Sequence, residues 1–201
     1  MKLLPVGLSA IVAAAVISVV FAQVSSVGAA MPQGWIKTGS APQRFDTSVV
    51  GDSSSNGRQI AQIKSKGNEN ISGFATFMQQ FVADDYRGKA VRFSAKVRTR
   101  DVRAWTGLWM RVDDLNGKIT AFDNMQERGI TGTTEWTPFE VVLPVATDSK
   151  MISFGILLNG NGEVNMTDVT VEAVSPMTPS TQPGSSGTPV SKQPINLDFK
   201  K

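Results

Sequence analysis

The chain has 201 residues, 41% of them hydrophobic, with a formal net charge of +3 at pH 7. This length and apolar content suffice for one domain with a full core. The charge is small and mixed in sign, so nucleic acid is not expected as a partner. Neither cysteine nor histidine occurs, which excludes disulfides, histidine-dependent catalytic triads and histidine-ligated zinc. Any catalysis would have to rest on carboxylates, lysine, tyrosine or serine.

Met1–Ala30 has the layout of a secretory signal. A single lysine precedes a nearly unbroken apolar run from Val6 to Ala22, and small residues follow it. Those small residues fit cleavage after Ala22, Ala29 or Ala30. An uncleaved membrane anchor is the alternative, because the run approaches the ~20 residues that span a bilayer. Together with the lack of cysteine, this segment predicts export to the periplasm or the medium of a bacterium.

Residues 31–174 predict an all-β domain. Apolar and polar residues alternate in several short segments, most clearly in Ala90–Thr99, where every second residue is apolar. The four residues expected to face inward there are Val91, Phe93, Ala95 and Val97. No stretch keeps a 3.6-residue period, and about eight short strands separated by turn residues are typical of a β-sandwich.

Four segments of this domain carry more specific predictions. Met151–Leu158 is nearly all apolar, which indicates a central strand covered on both faces. Glu163–Val174 closes the domain as a strand whose phase slips near Thr167–Asp168, which predicts a β-bulge. Asp101–Thr106 is predicted to be a loop, and Gly129–Trp136 to be a connection rich in threonine and glycine.

Gly107–Met125 predicts a hairpin with two different faces. Asn116 and Gly117 supply its turn, because both residue types tolerate positive φ. Trp109 and Arg111 point to one side of the first strand. The opposite side carries the apolar residues that would cover a core: Leu108, Met110 and Val112. A strand face meant only for solvent rarely carries a tryptophan, so the face with Trp109 is the best candidate for a binding surface.

The residues after the predicted domain differ in composition. Ser175–Pro194 is a low-complexity stretch of Pro, Ser, Thr and Gly, which indicates a linker or an unstructured tail. Ile195–Phe199 is an apolar island beyond it. Its alternating side chains predict an edge strand that adds to an exposed sheet edge of its own domain, or to that of a second copy, giving a homodimer.

Residues 73–174 contain five unusual clusters in a fixed order. These are Tyr86-Arg87-Gly88-Lys89, Leu108-Trp109-Met110-Arg111, Asp123-Asn124-Met125, Gly132-Thr133-Thr134-Glu135-Trp136 and Phe154-Gly155. In these clusters the chain resembles a bacterial jelly-roll module of the galactose-binding-like class. That module occurs attached to helix-turn-helix regulators and to secreted peptidases or other hydrolases.

The resemblance implies a jelly-roll β-sandwich of two antiparallel sheets, as in many carbohydrate-binding modules. The main functional hypothesis is an exported, non-catalytic binding module for a carbohydrate or a similar polar ligand, with export predicted by segment 1–30 and binding by the face that carries Trp109. The sequence departs from the family at Asn165, where the module usually carries an aromatic residue that could serve as a ligand platform. A segment like Asn196–Phe199 normally leads into another domain. The alternative functions are a structural or protein-interaction domain of the envelope and, with least support, a carboxylate-dependent hydrolase.

The predicted ligand-binding residues combine aromatic, cationic and amide side chains, which can stack on a sugar ring and hydrogen-bond its hydroxyl groups. Trp109 has a second interpretation, as filler of the inter-sheet core, with Arg111 then paired to Asp113 or Asp123. Trp105 is expected to be exposed in the predicted loop. The full set is Trp109, Arg111, Asp123, Asn124, Trp105 and Gln79.

Metal and catalytic sites have weaker support in the sequence. Asp168, on the predicted bulge, could help to hold a structural Ca²⁺ or could only stabilise the bulge by a hydrogen bond. No other cofactor is predicted. The carboxylates considered for acid–base chemistry stand in no recognisable motif: Asp113, Asp123, Glu127 and Glu135.

Overall fold

The computed structural model describes residues 31–52, 58–67 and 69–184. Within them the regular elements are β-strands and short 3₁₀ turns, the latter at Pro42–Arg44, Asp84–Tyr86 and Gln126–Arg128. The strands are β1 (Trp35–Gly39), β2 (Phe45–Asp52), β3 (Arg58–Ser65), β4 (Phe74–Val82), β5 (Ala90–Asp114), β6 (Ile119–Asp123), β7 (Ile130–Pro144), β8 (Ser149–Asn159) and β9 (Glu163–Val174).

The strands form two antiparallel layers, and β5 belongs to both. The N-terminal half of β5 lies between β7 and β9, and this layer continues through β3 to β2. The C-terminal half of β5 lies between β6 and β8, and this layer continues through β4 to β1. We call the first layer the back sheet and the second the groove sheet. The predicted jelly-roll β-sandwich is confirmed.

The loop predicted at Asp101–Thr106 is wrong, because β5 runs through it without interruption. Asp101 has φ +50°, and the pairing of β5 with β7 shifts register on both sides of Val102. Strands that pass from one sheet of a sandwich to the other turn the corner by such bends and bulges. The connection predicted at Gly129–Trp136 is also wrong, since most of it is the first part of β7, which follows β5 around this corner.

The core lies between the two sheets, and the predicted inward face of Ala90–Thr99 is confirmed. Its members are all buried: Val91, Phe93, Ala95 and Val97. Aromatic rings close the core beneath β1. Trp35 stacks on Phe77 with ring centroids 4.7 Å apart and meets Phe154 edge-on at 5.5 Å. Such pairs are worth ~0.5–1.5 kcal/mol beyond their buried area.

The predictions for the last two strands are confirmed. β8 is a central strand, hydrogen-bonded to β4 on one side and β5 on the other. The bulge in β9 appears in its pairing with β5: Ser94 faces Thr170, but Lys96 faces Thr167. Asp168, in the extra position, has φ +53°.

Residues 175–184 differ from the unstructured tail that their composition predicts. The Thr181 amide donates to the Val142 carbonyl oxygen (3.0 Å), and the Val142 amide donates to Thr181 Oγ1 (2.8 Å). One step further, the Phe122 amide donates to Gln182 Oε1 (3.3 Å). β6 and β7 each lie at one edge of their sheet, so the peptide groups on that edge need hydrogen-bond partners. Thr181 and Gln182 supply some of them.

The predicted signal segment (1–30) and the apolar island (195–199) lie outside the described residues. In the part of the chain that the structure does describe, no helix is long and apolar enough to cross a membrane.

Candidate functional site: a groove on one sheet

The groove sheet packs one face on the core, and its other face forms a groove of about 660 Å³. Residues from all five of its strands, and from the turn after β6, line this groove. They are Thr38, Gly39, Phe74, Thr76, Met78, Gln80, Trp105, Trp109, Arg111, Phe122, Asn124, Gln126, Leu157 and Asn159. The floor is an apolar cluster separate from the main core, in which Met78, Trp109 and Leu157 pack with Phe74 and Trp105.

Trp109 forms part of this floor. Its side chain faces the groove, as the hairpin alternation predicts, so the inter-sheet core interpretation is wrong. Trp109 is nevertheless only 9% exposed. Its Nε1–H donates to Thr76 Oγ1 (2.7 Å), and the Thr76 hydroxyl donates in turn to the Ile156 carbonyl oxygen (2.8 Å). Trp109 is therefore a fixed base for the groove rather than an open stacking platform.

A glycine makes this position of Trp109 possible. Trp109 and Met78 both lie opposite Gly155 of β8. Thr76 lies on β4, beyond β8, so the indole crosses β8 where that strand has no side chain. A Cβ at Gly155 would also lie 2.2 Å from the Phe77 carbonyl oxygen, which no ordinary contact allows. Gly155 thus fixes both the strand spacing and the depth of the groove.

Trp105 lies at one end of the same face, opposite Asn159. It belongs to β5 and is half-buried against the floor, which corrects the expectation of an exposed loop residue. Gly129 packs directly on it, since a Cβ at Gly129 would lie 2.9 Å from Trp105 Cβ. Phe122 of β6 is 40% exposed and forms the wall on the other side. Trp105, Phe122 and the half-buried Phe74 are the aromatic rings that a ligand can reach.

Arg111 provides the groove's charged group. Its Nε donates to Asp113 Oδ2 at 3.1 Å, and its terminal nitrogen is 3.1 Å from the same oxygen. This is the pairing that the alternative interpretation of Arg111 proposed, yet Arg111 still lines the groove. Asp113 is nearly buried, so the guanidinium is held in one orientation and presents its remaining N–H groups to the groove.

Asp123 does not belong to the groove, which corrects its place among the predicted ligand residues. It lies opposite Met110, a core residue, and is fully buried. Its two oxygens accept bonds from Arg128 at 3.0 and 2.6 Å, and Oδ1 also accepts the Met125 amide at 2.8 Å. Asp123 therefore anchors the turn after β6, which supplies Asn124 and Gln126 to the groove. It acts on the site only through that turn.

The predicted amide groups divide between the two faces. Asn124 lines the groove together with Gln126, whose backbone N–H donates to Asn124 Oδ1 (3.1 Å). Gln79 does not line the groove, and its neighbour Gln80 does. Alternation explains this, because Gln79 shares a face with the core residue Phe77, and Gln80 shares one with Met78. Gln80 Nε2 donates to Ser153 Oγ (2.9 Å).

Several groove residues are missing from the predicted set. Met78 and Leu157 lie in strands of mostly apolar residues, where the composition does not show which face is covered by the core. Phe122 could have been found, because it lies opposite Arg111 once the hairpin register is known. The turn at Asn116 and Gly117 indicates which residues of the two strands lie opposite each other. A register shift at Val112 and Asp113 makes this pairing hard to derive by counting residues back from the turn.

Two other predicted positions lie away from the groove. Asn165, where the family usually has an aromatic residue, is on β9 of the back sheet, so its departure removes nothing from the groove. Its side chain bonds Gln62 (3.0 Å) and Glu163 (3.1 Å). Asp168 pairs with Lys96 at 3.1 Å. Among the described residues no group of three or more acidic side chains could hold a metal ion, and the structural Ca²⁺ stays a prediction.

A jelly-roll sandwich with an aromatic groove on the free face of one sheet is the class of protein that fold and site define. The chain is 40% identical over 169 residues to the uncharacterized HTH-type transcriptional regulator YbfP of Bacillus subtilis (strain 168). The match covers 84% of this chain but 57% of that protein, so the chain spans little more than half of the relative. The predicted resemblance to a module found with helix-turn-helix regulators is confirmed. No family model matches the chain.

Two solved structures are similar to the chain at low sequence identity. The enzymatically active domain of bacteriophage CBA120 tailspike protein 4 matches with a TM-score of 0.54 and 13% identity, over 73% of this chain and 21% of that one. The CBM22-1 xylan-binding domain of Paenibacillus barcinonensis Xyn10C matches with a TM-score of 0.49 and 14% identity, over 72% and 88%. At 13% identity, the match to the tailspike domain shows the fold alone.

Proposed function

We propose that the domain is an exported, non-catalytic module that binds a carbohydrate, or a similar polar ligand, in the groove. The observation that carries the proposal is that the groove combines accessible aromatic rings with neutral amides. The rings are Trp105, Phe122 and Phe74, and the amides are Asn124, Gln126 and Asn159. Sugar rings pack their C–H faces on aromatic rings, and their hydroxyl groups exchange hydrogen bonds with amides. A mostly apolar cleft with a few oriented polar groups is the usual form of such a site.

The groove is held in shape before any ligand arrives. Trp109 is fixed by Thr76, Arg111 by Asp113, and the turn after β6 by the pairing of Arg128 with Asp123. Side chains that are already ordered lose little conformational entropy on binding. This favours a recognition surface of defined shape over one that forms only around its partner.

Binding without catalysis is favoured by the positions of the carboxylates. Glycosidases of the usual kind need two carboxyl groups that face each other across the substrate. Asp113 is paired with Arg111, and Asp123 is buried with Arg128. No aspartate or glutamate is among the described residues that line the groove. A carboxylate-dependent hydrolase therefore stays the least supported alternative.

Export is the second part of the proposal. The apolar run and the small residues of segment 1–30 support it. A periplasmic or extracellular location would bring the groove into contact with envelope or environmental glycans, which are the ligands that its chemistry suits.

The test compares two half-buried tryptophans. Trp105→Ala removes an accessible ring from the groove. Trp136→Ala is the matched control, because Trp136 lies on the back sheet beneath Arg98, 4.7 Å from the guanidinium carbon to the ring. On a glycan array the wild type and Trp136→Ala should give the same pattern, and Trp105→Ala should lose about tenfold or more in affinity. Trp109→Ala is unsuitable, since removing a nearly buried tryptophan costs ~3–5 kcal/mol and would unfold much of the protein.

A protein partner is the second candidate function. Three exposed apolar side chains lie on the face of the groove sheet that carries the groove. The residues opposite them in the neighbouring strands are Met78, Met151 and Asp113, and each of these is on the groove side of its strand. These side chains are Ile36 (49% exposed), Val82 (59%) and Ile119 (51%). If folded wild-type protein binds no glycan, the carbohydrate proposal fails. Ile36→Ser and Val82→Ser would then be expected to weaken recovery of a cross-linked envelope protein.

A further inference from the structure

The arginines whose side chains the structure describes fall into two groups. Most have a partner: Arg44, Arg87, Arg92, Arg111 and Arg128 each pair with a carboxylate, and Arg98 lies over the ring of Trp136. Arg100 and Arg103 are exposed and have neither kind of partner among the described residues. Both lie at the bend of β5, and both line the same concave pocket of about 260 Å³.

The frame of this pocket is rigid. Asn161, 7% exposed, donates through Nδ2 to the Glu69 carbonyl oxygen (2.9 Å) and accepts the Ile71 amide at Oδ1 (3.0 Å). The backbone carbonyl oxygen of Asn161 accepts a hydrogen bond from the backbone N–H of Arg103 (2.9 Å). The backbone that carries one of the free guanidinium groups is therefore fixed to the turn between β8 and β9.

The carboxylates of the pocket have other partners. Glu163 accepts a bond from Asn165 (3.1 Å) and pairs with Lys64 (3.4 Å). Asp101 is held by Thr133, whose hydroxyl donates to Asp101 Oδ1 (3.4 Å). Arg100 lies opposite Glu163 in the ladder between β5 and β9, but among the described residues neither carboxylate forms an ion pair with Arg100 or Arg103. The two guanidinium groups remain available to an anion from outside.

The pocket lies near one end of the groove, along the same two strands. On β5, Arg103 lies two residues before Trp105, and on β8 and its turn Asn161 lies two residues after Asn159. Trp105 and Asn159 are directly paired and end the groove. Two residues of extended strand correspond to about 7 Å. A chain of sugars that lies on Trp105 would therefore bring its next substituent to the pocket.

We propose that this pocket is an anion subsite, and that the ligand of the groove is a polysaccharide with acidic substituents. This inference rests on the carbohydrate-binding function proposed above. The rigid fork of arginine matches the two oxygens of a carboxylate or sulfate, and bonds between charged partners are the stronger kind. A neutral sugar ring would stack on Trp105, and Arg103 and Arg100 would bind the acidic substituent of a neighbouring sugar.

The experiment uses a double variant, Arg100→Gln/Arg103→Gln, and a matched double variant, Arg92→Gln/Lys96→Gln. Both remove two positive charges from β5, but Arg92 and Lys96 lie outside the pocket and pair with surface carboxylates. The probes are immobilised neutral polysaccharides, uronate polysaccharides, the methyl esters of those uronates, and sulfated polysaccharides. A single-stranded oligonucleotide tests for general polyanion binding.

The wild type should bind at least one acidic polysaccharide about tenfold or more tightly than its neutral counterpart. The pocket variant should lose that difference and the matched variant should keep it. Preference for uronates over sulfated chains, or the reverse, identifies the anion. Equal binding of acid and ester, equal weakening by both variants, or equal binding of the oligonucleotide would overturn the inference and leave the carbohydrate proposal intact. If no glycan binds at all, both fail.

Discussion

Gly155→Ala is the substitution that tests the geometry of the groove sheet most directly. The added Cβ would lie 2.2 Å from the Phe77 carbonyl oxygen and 2.8 Å from Met78 Cα. Both atoms belong to the backbone of β4, so no side-chain rotation can relieve the contact. β4 and β8 would have to separate at this register, although paired strands normally stay ~4.8 Å apart.

The expected cost can be assembled from its parts. Separation of the strands weakens about two ladder hydrogen bonds at ~1 kcal/mol each, and overpacking adds ~1–3 kcal/mol. The free energy of unfolding should therefore fall by ~3–5 kcal/mol, a large share of the ~5–15 kcal/mol that a domain has. Urea denaturation, followed by circular dichroism and by tryptophan fluorescence, measures this difference.

Gly51→Ala is the control. Gly51 is also a strand glycine, in β2, and among the described residues the nearest atom to its Cβ position is Gln59 Nε2 at 3.8 Å, an ordinary contact. Alanine is favoured over glycine in such a position by ~0.5–1 kcal/mol, so this variant should match or exceed the wild type in stability. If Gly155→Ala came within about 1 kcal/mol of Gly51→Ala, the close approach of β4 to β8 would be refuted.

Three further outcomes follow from the structure. Arg128→Ala leaves the buried Asp123 carboxylate without its cation, so the free energy of unfolding, measured by urea denaturation, should fall by ~3–5 kcal/mol. Asp123→Asn keeps an acceptor and frees Arg128 to turn to solvent, so it should cost only ~1–2 kcal/mol. A larger loss for Asp123→Asn than for Arg128→Ala would contradict this account. Ending the chain at Val174 removes the groups paired with Val142 and should cost ~1–3 kcal/mol, so an unchanged melting temperature would mean that this edge contact is not stabilising. Mass spectrometry of envelope fractions should find a new N-terminus between residues 23 and 31, whereas an intact N-terminus in the membrane would favour the anchor.

The strand pattern of the domain was predictable where one face of a strand is buried and the other is solvated. Alternation of that kind made the inward face of Ala90–Thr99 certain, and a slip in it revealed the bulge near Asp168. Pattern alone could not reveal the corner at Asp101–Thr106. Its charged and small residues are typical of a loop, yet they continue β5. The strand β7 stays paired with β5 around the corner, while the neighbour on the other side of β5 changes from β9 to β8. Such a change of partner is a tertiary property and leaves no period in the sequence.

The site was predictable in part for the same reason. Trp109 and Arg111 were assigned to the correct face because they alternate with apolar core residues. Asp123 is on the other face, although a carboxylate next to Asn124 at the end of a strand looks solvated. Its contacts with Arg128 and with the Met125 amide make its burial tolerable. Arg128 lies in the next turn, where it also holds the groove wall. The buried ion pair thus explains both the failed prediction and the order of the turn: the carboxylate that sequence reasoning gave to the ligand instead helps to shape the surface on which a ligand would lie.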